Sequence, residues 1–123
     1  PGRELSARRD YQAAMARLKR AANAADATPA LRASALEGLA AAELELGQLR
    51  QARDTIDQLI ATTKDHAQLE RAELFRAGIS LAEGNPEEAL SLYRKFQKDH
   101  PDSKYLPQIR SFIAKLEAAE PKS

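Results

Sequence analysis

An all-α fold built from antiparallel helix hairpins is what this sequence predicts, and three observations carry the prediction. The apolar residues are mostly Ala and Leu, with no Trp, three Phe, three Tyr and few β-branched side chains, a mixture that favours helix over strand. Apolar positions recur at three- and four-residue intervals along almost the whole chain. Between these periodic runs stand short clusters of Gly, Pro, Asn, Asp and Thr that end one helix and cap the next within a few residues. About six helices follow, and connections this short place consecutive helices antiparallel.

The first helix is expected from about Glu4 to Ala25, with Leu5, Tyr11, Ala14, Met15, Leu18, Ala21 and Ala22 on its packing face. Thr28-Pro29 then supplies a cap and a first-turn proline. The second runs from Ala30 to Leu46, with Leu31, Ala35, Leu39 and Ala42 or Leu46 along one side and Gly47 as its C-terminal cap. The third, Leu49 to about Thr63, carries Ala52, Ile56, Leu59 and Ile60. Asp65 followed by Gln68 reads as a capping box opening the fourth, which continues to Glu83 through Leu69, Ala72, Phe75, Ile79 and Leu81.

The clearest punctuation lies in GNPEEALSLYRKFQKDHPDSKY, Gly84 to Tyr105. Gly84 can take the left-handed conformation that ends a helix, Asn85 can cap the next through its side-chain oxygen, and Pro86 loses no hydrogen bond in a first turn. Glu87 and Glu88 face the positive end of the helix dipole. Ala89, Leu92, Tyr93 and Phe96 form the packing face of this fifth helix until Pro101 stops it. Asp102 or Ser103 caps a sixth, in which Tyr105, Ile109, Phe112, Ile113 and Leu116 are apolar and Lys104, Gln108, Arg110, Ser111 and Lys115 are polar, fraying by Glu120-Pro121.

These segments repeat. Gly84, Ala89, Tyr93 and Phe96 align with Gly47, Ala52, Ile56 and Leu59 at an offset of 37, and Leu49, Ala52, Ile56 and Leu59 align with Tyr11, Ala14, Leu18 and Ala21 at 38. The recurrent Ala14, Ala52 and Ala89 suit points where two helices cross closely.

The pattern resembles the tetratricopeptide repeat, whose period is about 34 residues. Leu39-Ala40 and Arg76-Ala77 stand where that family has its large and small packing pair. Arg76 departs from it, as do the absent aromatic near Leu36, where the fourth helix has Glu73, and the absent proline at Lys64. The resemblance implies a short right-handed solenoid and one domain over 1–123: a half repeat at 4–28, repeats at 30–65 and 66–102, and a capping helix at 103–120. The half repeat and the initial Pro1 lead us to expect a fragment of a longer protein.

In this family function comes from a concave face lined by the first helix of each repeat, where a segment of another protein lies. Carried over by register, the groove is Ser34, Glu37, Ala41, Leu44 and Glu45 with Arg71, Leu74, Gly78, Leu81 and Ala82. The plain alternative is that Leu44, Leu74 and Leu81 are covered by neighbouring helices. Family members that clamp a chaperone's C-terminal carboxylate use Lys and Asn pairs, whereas Glu37, Ala41, Leu74 and Gly78 occupy such places here. The ending FQKDHPDSKYLPQIRSFIAKLE is similar to repeats of bacterial envelope proteins such as the Tol-Pal coordinator and outer-membrane assembly lipoproteins of the BamD type, which favours a periplasmic or envelope location over a cytoplasmic one.

Chemistry finds little support. There is no cysteine, hence no disulfide, thiolate site or cysteine nucleophile. His66 and His100 both fall in expected turns without a carboxylate pair at ligand spacing, so no metal, cofactor or catalytic residue is expected. No Gly-rich phosphate loop follows a strand, and no run approaches the ~18 apolar residues of a membrane span. A formal net charge of +1 with 30% charged residues argues against nucleic acid as the partner of the whole chain. The first helix is the exception: Arg3, Arg8, Arg9, Arg17, Lys19 and Arg20 outnumber Glu4 and Asp10. This basic patch could meet acidic protein, phosphate or anionic lipid, or lie against the acidic second helix at Glu37, Glu43 and Glu45. A third use of the same helix is homo-oligomerisation through its open side.

Overall fold

A computed structural model describes residues 2–119, with side chains from Ser6 onward. It contains six helices: α1 Gly2–Asn23, α2 Pro29–Glu45, α3 Leu49–Thr62, α4 His66–Ala82, α5 Pro86–Asp99 and α6 Leu106–Ala119. No strand occurs among the described residues. The all-α helical-repeat fold is therefore as expected, with boundaries within two or three residues of those read from the sequence. Expectations at Arg3, Glu4 and Leu5, for side chains, and at Glu120-Pro121 lie outside the described residues.

The punctuation works as its chemistry requires. Gly47 and Gly84 have φ of 73° and 79°, the left-handed region open to glycine. At each, two backbone bonds close the preceding helix: Gly47 N–H to Leu44 and Gln48 N–H to Glu43, then Gly84 N–H to Leu81 and Asn85 N–H to Ser80. Thr28 caps α2 by accepting from Leu31 N–H at 3.2 Å, and Asn85 caps α5 by accepting from Glu88 N–H at 3.1 Å. The sixth helix starts later than expected, because Ser103 Oγ accepts from Tyr105 N–H and Leu106 is the first helical residue.

Contacts divide the chain between Ala72 and Glu73 into two units. In the first, α2 packs between α1 and α3. Met15, Leu39 and Ala42 are buried together, flanked by Leu18 and Leu46. The two helices approach closely at Gly38, where a Cβ would lie 3.2 Å from Leu18 Cδ2. The end of α1 is closed by Arg32 of α2, whose Nε donates to the Ala22 carbonyl at 3.0 Å and whose Nη2 donates to that of Ala24 at 3.3 Å. Ala52, Ile56 and Leu59 of α3 are almost wholly buried.

Three expected packing residues of this unit differ. Tyr11 is 38% exposed, Leu31 is 63% exposed, and Ala21 is exposed as well. Tyr11 stands at the far end of the α1–α2 contact, in a cleft with Glu45 and Leu46. Periodicity had marked all three apolar without marking which side has a neighbour.

In the second unit Ala77, Ala89, Tyr93, Phe96, Leu106 and Ile109 form one buried cluster, with Leu74, Leu92, Tyr105, Phe112, Ile113 and Leu116 packed against it. Tyr93 and Phe112 stack at 5.3 Å between ring centroids, joining α5 to α6. Arg76, out of place for the repeat pattern, is held by polar partners. It donates to Ser80 Oγ at 2.7 Å and to Glu88 Oε1 at 2.6 Å.

Candidate functional site

The first unit brings three of the expected groove residues together. Ser34 and Glu37 of α2 and Arg71 of α4 line a cleft of about 400 Å³ that also takes in the α3–α4 turn from Thr62 to Asp65. The turn builds this cleft. Asp65 Oδ1 accepts from Gln68 N–H at 2.9 Å, which starts α4 as the expected capping box requires. The reciprocal half of that box does not form. Asp65 N–H donates to Thr63 Oγ1, and the Gln68 side chain is drawn elsewhere: its Oε1 accepts from Thr63 Oγ1 at 2.6 Å and its Nε2 donates to Glu37 Oε1 at 3.3 Å.

Glu37 thus anchors a short network. Arg71 Nε donates to Glu37 Oε2 at 2.9 Å and Arg71 Nη2 to Glu37 Oε1 at 3.3 Å, a forked pair. The Arg71 hydrogen bond holds the Glu37 carboxyl below its usual value, more than partial burial raises it, and Gln68 adds to the lowering. The two groove residues are therefore partners of each other. Gln68 was read only as a cap, and the Asp65–Gln68 spacing was the signal that pointed to it.

Of the expected groove residues on α2, Ser34, Ala41 and Glu45 are exposed and Leu44 is half-buried. In the second unit Leu74 is half-buried against the core cluster, so its side chain is a packing residue there. Gly78 is half-buried with open space where a Cβ would stand, and Leu81 is 38% exposed.

On α1, Arg8, Arg9, Arg17, Lys19 and Arg20 are all exposed, but helical geometry separates them. At 100° per residue, Arg9, Arg17 and Arg20 project away from the side of Met15 and Leu18 that meets α2. Arg8 instead lines a cleft of about 270 Å³ with Ala7, Tyr11, Glu45 and Leu46, and Lys19 lies near enough to Glu43 to offset part of the rise that burial gives its carboxyl. Acidic α2 residues thus stand beside two of the five cations, whereas Glu37 is taken by Arg71.

Glu43 itself was not singled out as buried, yet it is 3% exposed and accepts from Thr55 Oγ1 at 2.6 Å. Burial pushes its carboxyl up, and the Thr55 hydrogen bond and Lys19 oppose that rise. Of the two histidines, only His66 departs from its expected turn. His66 is the first residue of α4, whereas His100 follows the last residue of α5 with Nε2 3.2 and 3.3 Å from the two Glu73 oxygens while its ring lies against Phe96. Glu73, standing where the repeat pattern has an aromatic, is explained by that contact. Among the described residues no group of three or more His, Cys, Asp or Glu is placed to hold a metal ion, and no helix is long and apolar enough to cross a membrane.

Residues 68–103, most of α4 and all of α5 with its following turn, match the family model for the tetratricopeptide repeat. No curated protein matches the chain, and no solved structure does. The likeness of the C-terminal ending to envelope repeats accordingly rests on its sequence motif alone.

Proposed function

We propose that this chain is a non-enzymatic scaffold or adaptor that binds a segment of another protein. The observation that carries the reading is the tetratricopeptide match over residues 68–103, because such repeats generally mediate protein–protein interaction. Elements spaced by the same interval support extending it upstream. α2 and α4 are both 17 residues long, α3 and α5 both 14, and each pair starts 37 residues apart. On this reading residues 30–65 and 66–102 are the two full repeats, 4–28 a half repeat and 103–120 a capping helix.

The proposed contacts in the first unit are the exposed Ser34, Ala41 and Glu45 of α2, beside the half-buried Leu44 and the Glu37–Arg71 pair. In the second they are Leu81 and the open space at Gly78. Small side chains leave room for a backbone, and the fixed ion pair offers a charged edge. Bacterial envelope assembly is the setting we favour, on the C-terminal motif. A second reading, an acidic or anionic surface as partner, is favoured by the three cations Arg9, Arg17 and Arg20 on the outer side of α1.

The test is affinity capture with the chain as bait from separated envelope and cytosolic fractions, at low and moderate salt. Ala41→Glu and the pair Arg9→Glu with Arg20→Glu serve as variants. All three sites are exposed, so the fold should survive, which Leu74→Glu in the packed cluster would not ensure. Scaffold binding predicts an envelope protein retained at moderate salt and lost with Ala41→Glu. Capture that disappears with salt and with the arginine reversals, while ignoring Ala41→Glu, would replace it with the second reading.

A further inference from the structure

The end of α1, the first turns of α2 and the end of α3 meet around a cleft of about 410 Å³, large enough for a small ligand or the end of a chain. Ala22, Leu36 and Ala61 give it apolar walls, and Asn23, Gln58 and Thr62 add two amides and a hydroxyl. Arg32 supplies its charge. The Glu37 and Arg8 clefts each hold a carboxylate beside their cation, Glu37 with Arg71 and Glu45 with Arg8. Among the described residues no Asp or Glu lines this one.

Half-buried Arg32 is engaged along one edge of its guanidinium. Nε and Nη2 donate to the carbonyls of Ala22 and Ala24 at 3.0 and 3.3 Å, which fixes the planar group against the end of α1. The other edge, Nη1 with the second N–H of Nη2, makes no bond among the described residues. Two parallel N–H groups on a rigid plane match the two oxygens of a carboxylate. Because the side chain is already held, it loses little freedom on taking one. Charge selects the class of anion. One guanidinium balances one negative charge, and α3 ends at the cleft with the negative end of its dipole, so a dianion such as phosphate would be left in excess. Thr62 Oγ1 donates to the Gln58 carbonyl and keeps acceptor capacity, which suits an N–H beside the carboxylate rather than a further oxygen.

We infer that the cleft between Arg32, Asn23 and Gln58 is a binding site for a monocarboxylate with a short aliphatic group beside it, either a free acid or the last residue of a peptide. The carboxylate takes the open edge of Arg32, the aliphatic group rests on Ala22, Leu36 and Ala61, and the Asn23 and Gln58 amides pair with the polar atoms that flank it. None of these residues belongs to the groove proposed for a partner segment. The site therefore goes beyond the scaffold reading and stands or falls apart from it.

Titration of the isotope-labelled chain with N-acetyl-leucine, followed by backbone amide and Arg32 side-chain NMR resonances, tests it. The acid should saturate below about 10 mM and shift the resonances of Asn23, Arg32 and Gln58. N-acetyl-leucinamide, which lacks the charge, and inorganic phosphate, which lacks the aliphatic group, should each bind about tenfold or more weakly. Gln58→Glu sets a negative charge in the cleft at an exposed position, where the fold should be kept, and should weaken the acid about tenfold or more. Arg32→Lys keeps the charge but loses the fork, and should weaken the acid as well. A short peptide ending in alanyl-leucine that binds more tightly than isocaproate assigns the site to a chain terminus, and the reverse order assigns it to a free acid; either order supports the site. Equal binding of the acid and its amide, phosphate binding as tightly as the acid, or unchanged affinity in Gln58→Glu would overturn it. So would failure of the acid to saturate in that range.

Discussion

Glu43 and Glu37 sit on the same helix and are pushed in opposite directions, which gives the pH dependence of stability two limbs. Burial raises Glu43, so the folded state binds its proton more tightly than the unfolded chain does, and stability falls as pH rises above the ordinary glutamate value of about 4.3. Arg71 lowers Glu37, so stability falls as pH drops below that value and the carboxylate is protonated. Together they predict greatest stability from these two groups near pH 4.3. Urea denaturation from pH 3 to 8 should show Glu43→Gln flattening the alkaline limb while keeping an acceptor for Thr55, and Glu37→Gln flattening the acid limb. Equal response of both limbs to either change would contradict the assignment. These pairs were invisible in the sequence. Thr55 is 12 residues from Glu43 and Arg71 is 34 from Glu37, and apolar periodicity says which face is buried but not which polar side chains meet inside it.

The helices themselves were legible because their ends are chemical. Gly47, Gly84, Thr28 and Asn85 were each read correctly, since a positive φ or a side-chain acceptor at one position leaves few alternatives. Replacing Gly84 by Ala should therefore cost about 1 kcal/mol or more, because a Cβ in the left-handed region is strained even with nothing within 4 Å of it. Gly78, also open but helical, provides the contrast: Gly78→Ala should stabilise by up to about 1 kcal/mol through helix propensity. Chemical denaturation of the two variants decides it, and a common sign would show that something other than φ governs them. What the element scale hid was the neighbour. Leu31 and Leu74 looked alike as leucines on amphipathic helices, yet Leu31 meets solvent and Leu74 meets the Tyr93–Phe96 cluster. Of the proposed groove residues, Leu74 changes character on that distinction.

At the scale of the whole molecule, the 37-residue recurrence of helix lengths makes one position informative about another. Ala52 and Ala89 occupy the same place in α3 and α5, and both are wholly buried. Small size there was inferred from close helix crossing, and the burial of both is what such a crossing produces. Ala14, aligned with them by sequence, is only half-buried, and α1 at 22 residues is longer than either. The recurrence therefore holds between the two later hairpins and weakens toward α1. If packing space sets the alanine, Ala52→Leu and Ala89→Leu should each destabilise by about 1–3 kcal/mol, because a filled core accepts added methylenes only by shifting side chains and backbone. The same change at exposed Ala61 of α3 should stay within about 0.5 kcal/mol. Urea midpoints for the three variants make the comparison. A loss at Ala52 but none at Ala89 would mean that the two hairpins pack differently despite their matching helices, and the shared register would then be a property of the sequence alone.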